Sequence, residues 1–217
     1  MLIAADGLNS RAREILFGAR HRARYTGSTA WRGTVDGDID TVSETWGEGS
    51  LFGITPRDGG QTNWFASSVL PEGDRSPDGE VRALQTRFGH WHGEVCRVLD
   101  GLDAADVLRH DLYYLDPPLP SYVKGTMALI GDAAHAMTPN LGRGACEALV
   151  DGVSLGRCLL AEPRSDRALI AYDAERRKPT QRLARMARVV SWMAHVRRLT
   201  GLRDMTLRLA LLAGPPS

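Results

Sequence analysis

The sequence predicts an α/β chain with α+β character, and three observations carry that expectation. The chain opens on "MLIAADG", a short apolar run ended by Asp6-Gly7, the pattern of a buried strand entering a turn. A second apolar run, "TMALIG" at 126–131, is followed by Asp132, a loop rich in Pro and Gly, and then helical spacing. Strand, loop and helix in that order describe a crossover in an α/β sheet. Between the two runs lies a β-rich segment that reads as an inserted antiparallel sheet.

Taken in order, "RYTGSTAWRGTV", "TVSETWGEGSLFGITPR" and "QTNWFASSVL" are strand-like runs separated by the turn-forming "DGDID" and "RDGG". Residues 72–79 form a polar connector. The stretch from Glu80 to Leu102 has helical spacing, with Val81, Leu84, Phe88, Trp91, Val95 and Val98 on one side, and reads as one helix. A strand-like "RHDLYYLD", the turn "PPLP" and the strand before Gly131 follow, and everything beyond Pro139 reads as helical, with Pro179 expected to interrupt or kink the last long stretch. The expected organisation is 1–20 and 121–162 as pieces of one domain, 21–120 as a β-sheet region with a helix, and 163–217 as C-terminal helices.

Lys and Arg number 27 against 26 Asp and Glu, a balance that argues against a nucleic-acid binder and against an acidic-tail protein. The hydrophobic content of 43% suits one large core or two modest ones. Cys96, Cys146 and Cys158 lie far apart without CxxC spacing, which fits reduced thiols and a cytoplasmic location. No apolar run approaches the roughly 18 to 20 residues of a transmembrane helix, and no secretory signal opens the chain.

The chemistry concentrates in "ALIGDAAHAMTPNLGRGACEALVDG". Asp132, first after the strand, offers a carboxylate at the carboxyl edge of the sheet, where ligands bind in this architecture. Gly142 and Gly144 remove Cβ atoms where a ligand approaches the backbone. A helix starting near Gly144 presents unpaired amides and the positive end of its dipole, which favour negative charge. A loop of this kind can also be shaped by its glycines for purely structural reasons.

The whole arrangement, GDAAH, then Pro139, then the Gly142-x-Gly144 pair and an acidic helix, resembles the GD motif of the class A FAD-dependent monooxygenases, the aromatic hydroxylases. "DGLNSRAR" resembles the same family's DG motif, falling on Asp6, Gly7, Ser10 and Arg13. The resemblance runs from residue 1 to about 180. It implies FAD as cofactor, NADPH or NADH as co-substrate, and transfer of one oxygen atom from O2, through a flavin C4a-hydroperoxide, to a small aromatic or cyclic substrate. It assigns Asp132 to the ribityl hydroxyls, Pro139 to the reactive edge of the flavin ring, and the backbone of Gly142, Arg143, Gly144 and Ala145 to the N1 and O2 edge. Asp6 and Gly7 would flank the pyrophosphate and nicotinamide passage, with Ser10 and Arg13 organising that loop; a surface ion pair is the alternative for Arg13.

The family's N-terminal G-x-G-x-x-G unit has no counterpart here, so the expectation is an incomplete FAD-binding Rossmann-like domain, weak FAD binding by the isolated chain, and self-association through surface left exposed. Two other readings stay open: a catalytically silent interaction module, and a reductase or halogenase relative.

In the β-rich segment, Arg32, Asn63 and Trp64 are the substrate candidates, the first two to orient a substrate and the third as an aromatic wall, a part that Trp31, Trp46 and Phe65 also suit. No residue is singled out as catalytic. His90 and His92 are two apart, which on a helix separates their faces, and no metal site is expected. His135 is expected to bond backbone, Cys146 to be buried, and Glu147 and Asp151 to favour the helix dipole. The segment 164–208 holds 12 Lys or Arg against 4 acidic residues, a basic amphipathic stretch able to pack on the sheet or to meet a membrane or acidic partner.

Overall fold

Residues 1–198 and 200–212 are described in a computed structural model, the side chains of 210–212 excepted. In chain order the elements are β1 (Leu2–Ala4), α1 (Arg11–Phe17), β2 (Arg22–Asp36), β3 (Ser43–Trp46), β4 (Ser50–Arg57), β5 (Gln61–Val69), α2 (Glu80–Phe88) and α3 (Gly93–Asp100). There follow β6 (Leu108–Asp116), β7 (Val123–Lys124), β8 (Met127–Leu129), α4 (Asp132–His135), a 3-10 turn (Pro139–Leu141), α5 (Gly144–Ala161), α6 (Ser165–Ala194) and α7 (Thr200–Leu212). The chain forms two compact units, Met1–Thr26 with Tyr113–Ser191, and Gly27–Leu112 with the residues from Trp192 onward.

In the first unit β1 runs parallel to β8, with Leu2 opposite Met127 and Ala4 opposite Leu129, and β7 pairs antiparallel to β8. The parallel pairing brings two segments more than 120 positions apart onto one sheet, and both strands end on the same edge. The core behind them holds Leu16, Tyr122, Leu129, Ala133, Leu155, Leu169 and Tyr172. Buried polar tips are satisfied: the Tyr172 hydroxyl donates to the Leu129 carbonyl at 2.9 Å, and the Tyr122 hydroxyl meets Thr180 Oγ1 at 2.6 Å. Helix α5 buries Leu155 and Cys158 and leaves Leu149, Val153 and Leu160 exposed.

The strand residues of the second unit belong to one sheet of order β3-β4-β5-β2-β6. Register sets one face: Ala66 lies opposite Trp31 on one side and Phe52 on the other, and Trp64 lies opposite Gly33 and Ile54. That face packs Trp31, Val35, Phe52, Ile54 and Trp64 against Leu84, Phe88, Val95, Val98 and Leu99 of α2 and α3. Phe52 stacks on Trp64 at 5.8 Å, and Phe88 meets Phe52 edge-on.

Several sequence expectations change. The single helix from Glu80 is two, because Gly89 closes α2 with its N–H on the Gln85 carbonyl and the chain re-enters helix only at Gly93. The second strand-like run is the hairpin β3–β4, turned at 47–49. Pro179 does not break α6, which stays helical for 30 residues; beside it the Thr180 hydroxyl bonds the Arg176 carbonyl at 2.8 Å. The C-terminal helices are not a unit of their own, since α6 belongs to the first unit up to Ser191.

Candidate functional site

Both sequence motifs sit at the carboxyl ends of β1 and β8, the edge where parallel sheets bind ligands. Ser10 caps α1: its Oγ accepts the Arg13 N–H at 2.9 Å and donates to the Asp6 carboxylate at 2.5 Å. Asp6 also accepts the Ala12 N–H at 3.1 Å. Burial pushes the Asp6 carboxyl up, but the Ser10 hydroxyl and nearby amides outweigh it and hold the group below its ordinary range.

Arg13 is 3% exposed, so the surface ion pair allowed for it at the sequence level is ruled out by burial. Its guanidinium instead donates to main-chain carbonyls, from Nε to His21 at 3.0 Å, from Nη1 to Asp132 at 3.2 Å and Ala133 at 3.0 Å, and from Nη2 to Leu8. One buried fork thus ties the loop after β1 to the turn after β8. Burial lowers the Arg13 pKa against the opposing pull of the Asp6 and Asp132 carboxylates.

Asp132 begins α4 with its side chain exposed, and its carboxylate accepts no hydrogen bond among the described residues. Beyond α4, Pro139 opens the 3-10 turn on the surface. Gly142 closes it at φ +62°, its N–H on the Pro139 carbonyl at 2.7 Å, with open space where a Cβ would stand. Arg143 precedes Gly144 and Ala145, the first residues of α5, and no side chain caps that helix. Thr138 Oγ1 and Asn140 Oδ1 in this loop are buried without partners among the described residues.

Behind the loop lies a buried network that sequence reasoning missed. Asp151 Oδ2 accepts the Gly131 N–H at 2.8 Å and faces His135 Nε2 at 2.6 Å. A carboxylate only accepts, so Nε2 carries the hydrogen of that bond. Arg176 donates to Asp151 Oδ1 at 2.8 Å and to Glu147 Oε2 at 2.6 Å, and Glu147 Oε1 takes Arg143 at 2.8 Å. Burial raises the Asp151 carboxyl, yet His135, Arg176 and the Gly131 amide hold it below the ordinary carboxylate range. The expected backbone bond of His135 gives way to its bond with Asp151, and Asp151 lies beyond the first turn of α5, whereas Glu147 stands in that turn as expected and also pairs with Arg143 and Arg176. A signal existed: Glu147, Asp151, Ser154, Leu155 and Cys158 share one inward stripe of α5. Cys146, expected to be buried, is exposed because it faces away from that stripe.

In the second unit, strand alternation divides the substrate candidates. Trp64 is fully buried in the core, so it is no wall of an open pocket. Arg32 and Asn63 lie on the opposite face, Arg32 opposite Phe65 and Asn63 opposite Thr34. Asn63 donates to Thr55 Oγ1 at 3.1 Å and Arg32 is exposed. Trp31 is also core, its Nε1–H donating to Glu80 at 2.7 Å. Among the described residues no group of His, Cys, Asp and Glu is arranged to hold a metal.

Residues 1–187 match the family described as an FAD binding domain. The chain belongs to that family. Relatives within reach of the FAD-binding domain family include aurachin C monooxygenase/isomerase of Stigmatella aurantiaca, 40% identical over 181 residues covering 81% of this chain and 46% of that protein. The FAD-dependent urate hydroxylase of Klebsiella pneumoniae is 32% identical over 182 residues, 81% of this chain and 47% of that protein. Among solved structures, Klebsiella pneumoniae HpxO complexed with FAD and uric acid superposes with a TM-score of 0.87 at 29% identity, over 96% of this chain and 55% of that one. The chain therefore spans about half the length of these relatives.

Proposed function

We propose that this chain carries part of the machinery of an FAD-dependent monooxygenase that hydroxylates a small aromatic or cyclic substrate with O2 and NADH or NADPH. The observation that carries the reading is the Arg13 fork, which joins the DG and GD motifs at one sheet edge. The names of the relatives, a monooxygenase and a hydroxylase, support the reaction class. FAD would supply the redox and oxygen-transfer chemistry.

The residues present suit that cofactor. Asp132 has a carboxylate that accepts no hydrogen bond among the described residues and is exposed at the sheet edge, suited to accept from ribityl hydroxyls. The open surface at Gly142 and the uncapped amides of Gly144 and Ala145 suit a flat ring whose N1 and O2 edge gathers negative charge, with Pro139 beside it. Thr138 Oγ1 and Asn140 Oδ1, buried and unpaired among the described residues, mark a loop that a polar ligand completes. Asp6, Gly7 and Arg13 hold the loop that flanks the pyrophosphate and nicotinamide passage. Asp151 and Arg176 act through the Gly131 and Glu147 backbone, holding the turn from which Asp132 projects. In the second unit the face of Arg32 and Asn63 is assigned to the substrate.

FAD titration of the polypeptide carrying these residues, followed by flavin fluorescence, tests the assignment. Loss of a charged acceptor is worth about 1.5 to 3 kcal/mol, so Asp132→Ala is expected to weaken FAD binding about 10- to 150-fold. Equal affinity in the variant removes Asp132 from the site.

A further inference from the structure

We infer that the outward face of the second half of α6 rests on an anionic lipid surface. Lys178, Arg182 and Arg185 recur at i, i+4 and i+7, are exposed, and make no ion pair or hydrogen bond among the described residues. Their neighbours on the helix are otherwise engaged: Arg176 with Asp151 and Glu147, Arg177 with Asp173, Arg188 with Asp116 and the Tyr114 ring. Next to these cations the helix exposes Met186 (51%) and Val189 (56%). Lys178, Pro179, Arg182, Leu183 and Met186 line a shallow open depression on this face.

The chemistry selects the occupant. No acidic residue occurs between Glu175 and Asp204, so the positive charge is local in a chain of net charge +1. A second copy of the same face would meet like charge with like charge. A nucleic acid would neutralise the cations but leave the aliphatic side chains in water. An anionic bilayer satisfies both, since the cations meet head groups with their stems along the apolar boundary while the aliphatic side chains enter it. No described helix is long and apolar enough to cross a membrane, so the contact is with its surface. The inference does not rest on the flavin reading.

Sedimentation of the purified polypeptide with vesicles decides it. Binding is expected to equimolar phosphatidylglycerol and phosphatidylcholine, with little to phosphatidylcholine alone and release in about 1 M salt, where the screening length falls to about 3 Å. Each cation near such a surface contributes about fivefold in partitioning, so Arg182→Gln with Arg185→Gln is expected to weaken binding about 25-fold. Met186→Ser with Val189→Ser is expected to weaken it roughly tenfold. All four side chains are exposed, and circular dichroism confirms that each variant keeps the fold. Absence of binding to the anionic vesicles, or wild-type binding by the arginine variant, overturns the inference. So does wild-type binding by the Met186 and Val189 variant, which would show that the vesicles are met by charge alone and that no apolar side chain of this face enters them.

Discussion

Arg13 shows how much one buried side chain can organise when its partners are carbonyls. A planar fork reaches the carbonyls of Leu8, His21, Asp132 and Ala133 together, whereas a lysine carries the same charge as a point on a flexible stem. Arg13→Lys is expected to destabilise the protein by about 2 to 4 kcal/mol, read as a lower midpoint in urea unfolding; an unchanged midpoint would show that the fork is dispensable. Asp151 behaves differently because its effect depends on pH. Its folded carboxyl lies below the unfolded value, so its contribution is complete above about pH 4 and fades as pH falls through the lowered folded value. Asp151→Asn strips the buried Arg176 of one of two partners, at an expected cost of about 3 to 5 kcal/mol at neutral pH. Thermal melts of wild type and variant are expected to converge in acid, and a gap independent of pH would mean that charge is not the reason.

At the scale of elements, the strands of the second unit show what pattern and register each contribute. Alternation places Phe65 on the face opposite Trp64, and the β4–β5 register sets it against Gly53. A Cβ on Gly53 would lie 2.0 Å from the Phe65 ring, so the bare backbone there is a seat for an aromatic side chain. Gly53→Ala is expected to cost about 1 to 3 kcal/mol by overpacking. Phe65→Leu added to it is expected to restore part of the loss, which a double-mutant cycle in urea measures. Strand existence was readable from β-branched and aromatic runs bounded by Gly and Asp. The break between α2 and α3 was harder to read, because apolar spacing continues through Gly89 and Trp91, and Trp91 packs edge-on against Phe88 as a helical residue would.

For the whole molecule, the two units carry separate intrinsic reporters. Trp31, Trp46, Trp64, Trp91 and Trp192 fall in the second unit, while Tyr25, Tyr113, Tyr114, Tyr122 and Tyr172 fall in the first. Since the proposed flavin contacts lie in the first unit, FAD at about 100 times its dissociation constant adds about 2.7 kcal/mol to the stability of the state it binds. The tyrosine near-ultraviolet signal is expected to be lost at higher temperature with FAD, and tryptophan emission to shift less. Equal shifts of both signals would show the chain unfolding as a single cooperative body.

Local pattern was enough to determine the strands at Leu2 and Met127, the start of α5 at Gly144, and the DG and GD motifs with Asp6, Ser10, Asp132 and the Gly142 turn. Each of these depends on residues within a few positions of one another, through turn chemistry, capping or apolar period. Only the tertiary structure decided that Arg13 is buried on the carbonyls after Asp132, that Asp151 and Arg176 form the support beneath that turn, and that of the two faces of β5 the one bearing Trp64 is the covered one. Those outcomes depend on contacts between segments separated by tens to more than a hundred positions, and on which face of a strand or helix the rest of the chain covers, a choice made by packing and by the cost of leaving buried polar groups unpaired.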